Sequence, residues 1–481
     1  MRNVSLKSAA LIAALCTGIT LGEAAEDNRQ ELSERVEKLN QLRAELQSLQ
    51  ETEGTYSNAL LPLYAQLTEA LIDARAYDEA LEVLEQHQQL IKIHEGLHAE
   101  AQIDVVLKQL EVLASSGLWD SLYDRLSHLE WIQQRASDRN LEQRVDGLKQ
   151  LSGWVQVLLQ QGPRNEEWRY LLRLRDLESQ SYKLVDDNAT DADKELLDQL
   201  QYDLAQSELY IALAMATPGE TSRLLINHEL NLQTSAFTPP RQMVSVSDVE
   251  RAYGARASSV IERAHRTAMN RHYSLIKEIA GRQDNDPLTQ ATMEIYLGDS
   301  VLLRQQYELR PLGNSGPTRG SSNIGSAGSH YDEAWQLFLE AGITESQLNA
   351  FFACPMLLPM PSLTTRLGFD NPPCTQLADG TIELPEVLVT EDRSPGLIYH
   401  NLEQTRSNST LEGVRVQVSF TVGVNGQASR IQSTSAEPDT VSVRIRGRDA
   451  LQQMQFRPAL ENGRSKRQQN VRITMISLNA D

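Results

Sequence analysis

Residues His94 to His98 read His-Glu-Gly-Leu-His. In that spacing two imidazoles at i and i+4 share one helix face around a zinc ion, while the carboxylate between them activates a bound water to hydrolyse a peptide bond. Gly96 weakens a helix by about 1 kcal/mol against alanine at the point where both turns need rigidity. Position 104, where an extended ligand set needs a third histidine, is Asp. The stretch also falls where one helix pair hands over to the next, so it is expected to be a glycine-broken connector, with His94, Glu95 and His98 kept as an alternative zinc-hydrolase site. The remaining sequence shows no G-x-S-x-G turn and no clustered metal spacing. No enzymatic activity, metal or cofactor is expected.

The second reactive pair is Cys354 and Cys374, in the proline-rich stretch "CPMLLPMPSLTTRLGFDNPPC". In an oxidising compartment a close pair in such a loop forms a disulfide. Closing a loop of this length restricts the unfolded chain by about 3 kcal/mol on the chain-entropy model.

That compartment is implied by the first residues. Arg2 and Lys7 precede an apolar run from Ala9 to Leu21, and Gly22-Glu23-Ala24 offers a small-x-small cleavage site, so residues 1–24 read as a signal peptide. The apolar run is shorter than the roughly 20 residues needed to span a bilayer, which leaves an exported, periplasmic protein without stable membrane insertion. A formal net charge of -20 opposes nucleic acid and anionic lipid as main partners. The acidic surplus lies before Gly396, and the segment after it is mildly basic.

The elements that carry these residues are mostly helical. Residues 25–53 place Leu32, Val36, Leu39, Leu42, Leu46 and Leu49 on one stripe, a coiled-coil-like helix expected to pack on the helices that follow. Within 54–353, "LTEALIDARAYDEALEVLEQ" (67–86) and "QLEVLASSGLWDSLYDRLSHLE" (109–130) align at a spacing of 42, which superposes Leu71 on Leu113, Tyr77 on Trp119 and Leu84 on Leu126. Tyr331-Asp332-Glu333-Ala334, following "YLGDSVLLRQQY" (296–307), repeats Tyr77-Asp78-Glu79-Ala80. Small residues that admit a neighbouring helix, with aromatics filling the gap, resemble the tetratricopeptide repeat in a lengthened form. Residues 150–290 are helical by pattern without countable repeats. A Gly/Ser-rich insert, 311–330, reads as a mobile loop, and 354–395 as a disulfide-tied linker.

From 396 to 481 the pattern changes. Val414, Val416, Val418, Phe420, Val422 and Val424 alternate with polar residues as in a half-buried strand, and Asn425-Gly426 favours a two-residue type I′ turn into a second strand from Ala428. A short amphipathic helix through Leu451 and Met454, Phe456-Arg457-Pro458, an Asn462-Gly463 turn and a last strand over 470–478 complete a small α+β unit. Glu412-Gly413, the alternating strand, Asn425-Gly426, the Ser435 to Pro438 segment and Phe-Arg-Pro together resemble the C-terminal domain of TonB, the bacterial energy transducer. The family's Tyr-Pro pair is here Tyr399-His400, and the family's membrane anchor and proline-rich spacer are replaced by a signal peptide and repeats.

The resemblance implies a peptide-binding module whose final strand, Asn470, Val471, Arg472, Ile473, Thr474, Met475, Ile476 and Ser477, offers its edge to an extended peptide of an outer-membrane transporter. The competing reading has that edge covered within the protein or in a homodimer. The fold expected is therefore mostly α: a repeat domain with a small α+β domain at its end. The function expected is a periplasmic interaction scaffold for envelope proteins, linked to outer-membrane transport. A peripheral zinc metalloprotease and a purely structural or dimerising envelope protein are the alternatives.

Overall fold

The computed structural model describes residues 35–136, 139–188, 194–217, 219–235, 257–283, 286–307, 326–369, 372–389, 398–399 and 413–478. The proposed signal peptide and most of the Gly/Ser-rich insert lie outside the described residues. The protein is mostly helical with a small C-terminal sheet, and it divides into two compact units, Met1–Asn140 and Leu141–Asp481. The division falls inside the region expected to be one repeat domain, and the sheet shares its unit with the helices from Leu141 onward. No helix among the described residues is long and apolar enough to cross a membrane.

The first unit consists of α1 (35–53), α2 (Leu61–Asp73), α3 (Tyr77–Glu95), α4 (Gln102–Ser115) and α5 (Trp119–Arg135). Leu39 and Leu42 of α1 are buried against Leu60, Leu63, Leu67 and Leu84, while Val36 of the same stripe is 50 % exposed. A forked ion pair from Arg43 to Glu79, 2.6 Å at its shortest, fastens α1 to α3. The 42-residue spacing is a repeat of backbone conformation. Arg75 N–H donates to Ile72 O and Ala76 N–H to Leu71 O; Gly117 N–H donates to Ala114 O and Leu118 N–H to Leu113 O. Each pair of bonds closes a helix through a left-handed residue, φ 56° at Arg75 and 70° at Gly117, and satisfies carbonyls that the helix end leaves open. The same turn recurs over Ala341 to Ile343. There it follows the helix that carries Tyr331, whereas Tyr77 and Trp119 begin theirs.

In the second unit, α6 (Leu141–Gln161), α7 (Glu167–Asp186), α8 (Lys194–Ala216), α9 (Glu220–Ser235), α10 (Ala257–Arg282), α11 (Pro287–Tyr307), α12 (Ala327–Glu340) and α13 (Glu345–Phe352) precede the sheet. The last residues of the expected loop insert, Ala327 to His330, are instead the first turn of α12, whose N-cap Ser326 side chain accepts from Ser329 N–H. Helix α8 is buried on all sides, so its polar residues need partners. Arg282 and Gln283 donate to Asp198 at 2.7 and 2.6 Å, and Arg271 donates to Glu208 at 3.0 Å and to Glu229 at 2.6 Å.

The sheet is larger than the sequence pattern indicates. Strands β6 (Gly413–Val422), β7 (Ala428–Glu437) and β11 (Gln468–Leu478) form an antiparallel set in the order β7-β6-β11, with α14 (Val441–Gln453) against it. The expected linker supplies three more, β2 (Thr375–Gln376), β3 (Ile382–Glu383) and β4 (Val387–Val389), and β5 (Ile398–Tyr399) follows just beyond it. β3 and β4 both pair with β11, β2 with β3 and β5 with β4. A further strand, β1 (Met356–Leu358), pairs with β8 (Gln455–Arg457), and β9 (Ala459–Glu461) with β10 (Arg464–Lys466).

The expected two-residue turn at Asn425-Gly426 is a five-residue connection, 423–427, in which Gly423 N–H donates to Gln427 O, Gly426 N–H donates to Gly423 O and only Gly426 has a positive φ. Gly426 lies so close to Phe456 O that no Cβ fits there. Asn462-Gly463 is the pair with both residues left-handed, φ 52° and 79°.

Burial also sets titration. Glu178 on α7 is pushed up to about 8, first by burial and then by the Asp203 carboxylate, and Asp203 itself is pushed up to about 6 by burial. His265 and His272 on α10 are driven down to about 4 by burial. Between pH 4 and 6 the two histidines raise stability with pH while the two acids lower it. From pH 6.5 to 8 only Glu178 of these four still binds a proton in the folded chain that the unfolded chain has lost. The two histidines, still half protonated in the unfolded chain at pH 6.5, offset part of this, so stability should fall by about 1 kcal/mol across that interval, and Glu178→Gln should abolish the fall, as read from urea midpoints at pH 6.5 and 8.

Candidate binding site

Two arrangements bear on binding: the edge of β11, and the contacts that fix the β-module to the helices. Along one edge β11 runs antiparallel to β6 from Val471↔Phe420 to Leu478↔Gly413. Asn470, at φ 54°, lies in the irregularity between Gln468 and Val471. The other edge was expected to be open. Instead Val471 and Arg472 pair in parallel with Ile382 and Glu383, and Met475, Ile476 and Ser477 pair in parallel with Val387, Leu388 and Val389. The strand is central because its partners on this side come from the stretch expected to be a linker, whose apolar residues Ile382, Leu384 and Val387 join the same core as Val471, Ile473 and Met475.

The module is tied to the helices through a buried charge. Arg457, the central residue of Phe-Arg-Pro, is 2 % exposed and Asp299 of α11 is 4 % exposed. Arg457 Nε donates to Asp299 Oδ1 at 2.8 Å, a second guanidinium nitrogen donates to Oδ2, and Tyr331 of α12 donates its hydroxyl to Oδ1 at 2.8 Å. Burial pulls the arginine pKa down, but the carboxylate and its hydrogen bonds outweigh this and hold it above the ordinary value. Burial and the same carboxylate hold the Tyr331 hydroxyl well above its ordinary value. Gly298, next to Asp299, lets the Tyr331 ring lie where any Cβ would come within 2.5 Å of it. At the hairpin tip, Asn462 N–H donates to Asn349 Oδ1 of α13 at 3.3 Å. In the sequence Arg457 and the Asp299 of "YLGDSVLL" sit in separate patterns with no local link between them. The available signal was a lone carboxylate in an apolar helical run, which needs a cation once buried.

Between the module and the helices runs a strap, 359–369. Met360 O accepts from Tyr202 at 2.8 Å and from Gln206 at 2.7 Å, Ser362 O accepts from Tyr296 at 3.0 Å, and Leu363 N–H donates to Gln199 at 3.1 Å. Met360 and Leu363 pack on the cluster of Tyr202, Ile276, Met293 and Tyr296. Phe369 lies 5.0 Å from Phe351 and 5.1 Å from Phe338, ring to ring. The Cys354–Cys374 disulfide, as expected, closes the loop that contains this strap.

The His94 to His98 stretch is a connector by geometry. Helix α3 ends at Glu95, Gly96 follows at φ 102°, and His98 is off the helix against Trp131 at 4.6 Å. His94 Nε2 lies 2.7 Å from Tyr56 O, and Gln102 Nε2 donates to Gly96 O and Leu97 O, so the turn is held by protein groups. The shared helix face that the zinc chemistry requires is not formed. Among the described residues no group of three or more His, Cys, Asp or Glu could hold a metal ion.

Truncating one partner of the Arg457–Asp299 pair strands the other charge, so Arg457→Met or Asp299→Ala should each cost about 3–5 kcal/mol. The double variant should be no worse than the poorer single. Urea unfolding of the four proteins measures this; additive losses below about 1 kcal/mol each would show that the pair is not a buried, coupled unit. In comparisons with known proteins, no family model matches the chain and no curated protein matches it significantly.

Proposed function

We propose that this chain is an exported interaction scaffold of a Gram-negative envelope, in which helical repeats similar to tetratricopeptide repeats carry a TonB-like module that receives an extended peptide from an envelope partner. The observation that carries the reading is the parallel addition of β3 and β4 to β11, since it displays the kind of strand this edge accepts: apolar side chains at alternating positions on the core and main-chain pairing along the strand. Among the described residues β7 pairs only with β6, and its own ladder breaks register in two places, with Arg430 at φ 54°. Such bulges oppose strand addition, which favours β11 as the receiving strand. The disulfide accords with an oxidising compartment.

A second reading has the module as a structural end-piece. It is favoured by the buried Arg457–Asp299 pair, which ties the module to the helices with no outside partner.

A photoreactive amino acid at Thr474, between the β3 and β4 pairings, separates the two readings in intact cells. The scaffold reading expects adducts with envelope proteins from Thr474 and none from a control position such as Glu82. Equal or absent labelling at both positions would favour the end-piece.

A further inference from the structure

The two edges of β11 are not filled alike. Toward β6 the register is continuous from Val471 to Leu478. Toward β3 and β4 it is interrupted: Ile473 and Thr474 face Leu384 to Glu386, where Leu384 N–H donates to Arg472 O at 2.9 Å and Pro385 has no N–H to give. Parallel pairing is also slightly weaker per residue than antiparallel. This stretch is held instead by its side chains, with Ile382 5 %, Leu384 6 % and Val387 3 % exposed. Short pairing, a proline at the break and three apolar anchors describe a docked peptide more closely than an integral strand.

We propose that residues 381–389 are a resident ligand in cis, which occupies the strand-accepting edge of β11 and must be displaced by a partner peptide of the same pattern. The proposal rests on the strand-accepting reading above. The partner it specifies is an extended segment running parallel to β11, with apolar residues matching Ile382, Leu384 and Val387. A tethered occupant competes at an effective concentration on the order of 1 mM, so partners of modest affinity are excluded until the segment is released. The edge is thereby also protected from non-specific strand pairing.

A dye-labelled peptide covering residues 380–391 tests this by fluorescence anisotropy against the full chain and its Val387→Asp variant. The substitution puts a carboxylate into the apolar core only while the cis segment is docked. The expected result is binding to the variant at least about tenfold tighter than to wild type. Equal affinity would overturn cis occupancy and leave the strand-accepting reading standing. No binding to either protein, with the variant folded by circular dichroism, would overturn the strand-accepting reading and this proposal with it. Should the variant fail to fold, wild type decides: a saturating peptide with its three glutamates changed to glutamine should speed cleavage after Glu383 and Glu386 by a glutamate-specific protease, and an unchanged rate would overturn the proposal.

Discussion

The second unit depends on one buried ion pair. Asp299 would be intolerable inside α11 without a cation, and Arg457 equally so inside β8. Each is excluded from water only because the other is present. A buried pair of this kind adds little net stability over an apolar replacement, but it is exacting about position, since a displaced partner leaves a bare charge. Tyr331 adds a third donor and Gly298 makes room for its ring, so α11, α12 and β8 are fixed by a single carboxylate. The Asn462-Gly463 turn against α13 and the strap under Tyr202, Gln206 and Tyr296 are then set in place around it.

Such a fixture changes what the C-terminal module is. Its sheet and the helices before it share one compact unit, and the chain between them is used throughout: β1 pairs with β8, the strap lies on α8 and α11, and β3 and β4 extend the sheet. The disulfide spans the strap and connects the end of α13 to the start of β2. A stretch rich in proline and poor in periodicity thus contributes more cross-element contacts than its composition suggests, because proline fixes extended backbone that side chains such as Gln199 and Tyr296 can grip through its main-chain groups.

This explains what was legible in the sequence. The strand over Val414 to Val422, the leucine stripe of α1 and the repeat at 42 residues were readable because periodicity and turn chemistry are local. The disulfide was readable from two cysteines close together in a proline-rich loop. The openness of the β11 edge was not readable, since whether an edge is covered depends on strands of two and three residues too short to carry alternation. Nor was the turn at Asn425-Gly426, where tertiary packing against Phe456 O overrides the local preference. The Asp299–Arg457 pair joins residues 158 apart in sequence, and only the oddity of one acid in "YLGDSVLL" hints at it.

The central claim is that module and helices form one cooperative body. Native-state hydrogen exchange measures it directly, through the slowest amides of Pro287–Tyr307 and of Gln468–Leu478. The account predicts opening free energies within about 1 kcal/mol of each other, as for a single cooperative unit. Strand amides that open several kcal/mol more easily than the helix would show a module merely resting on the helices, and would contradict it.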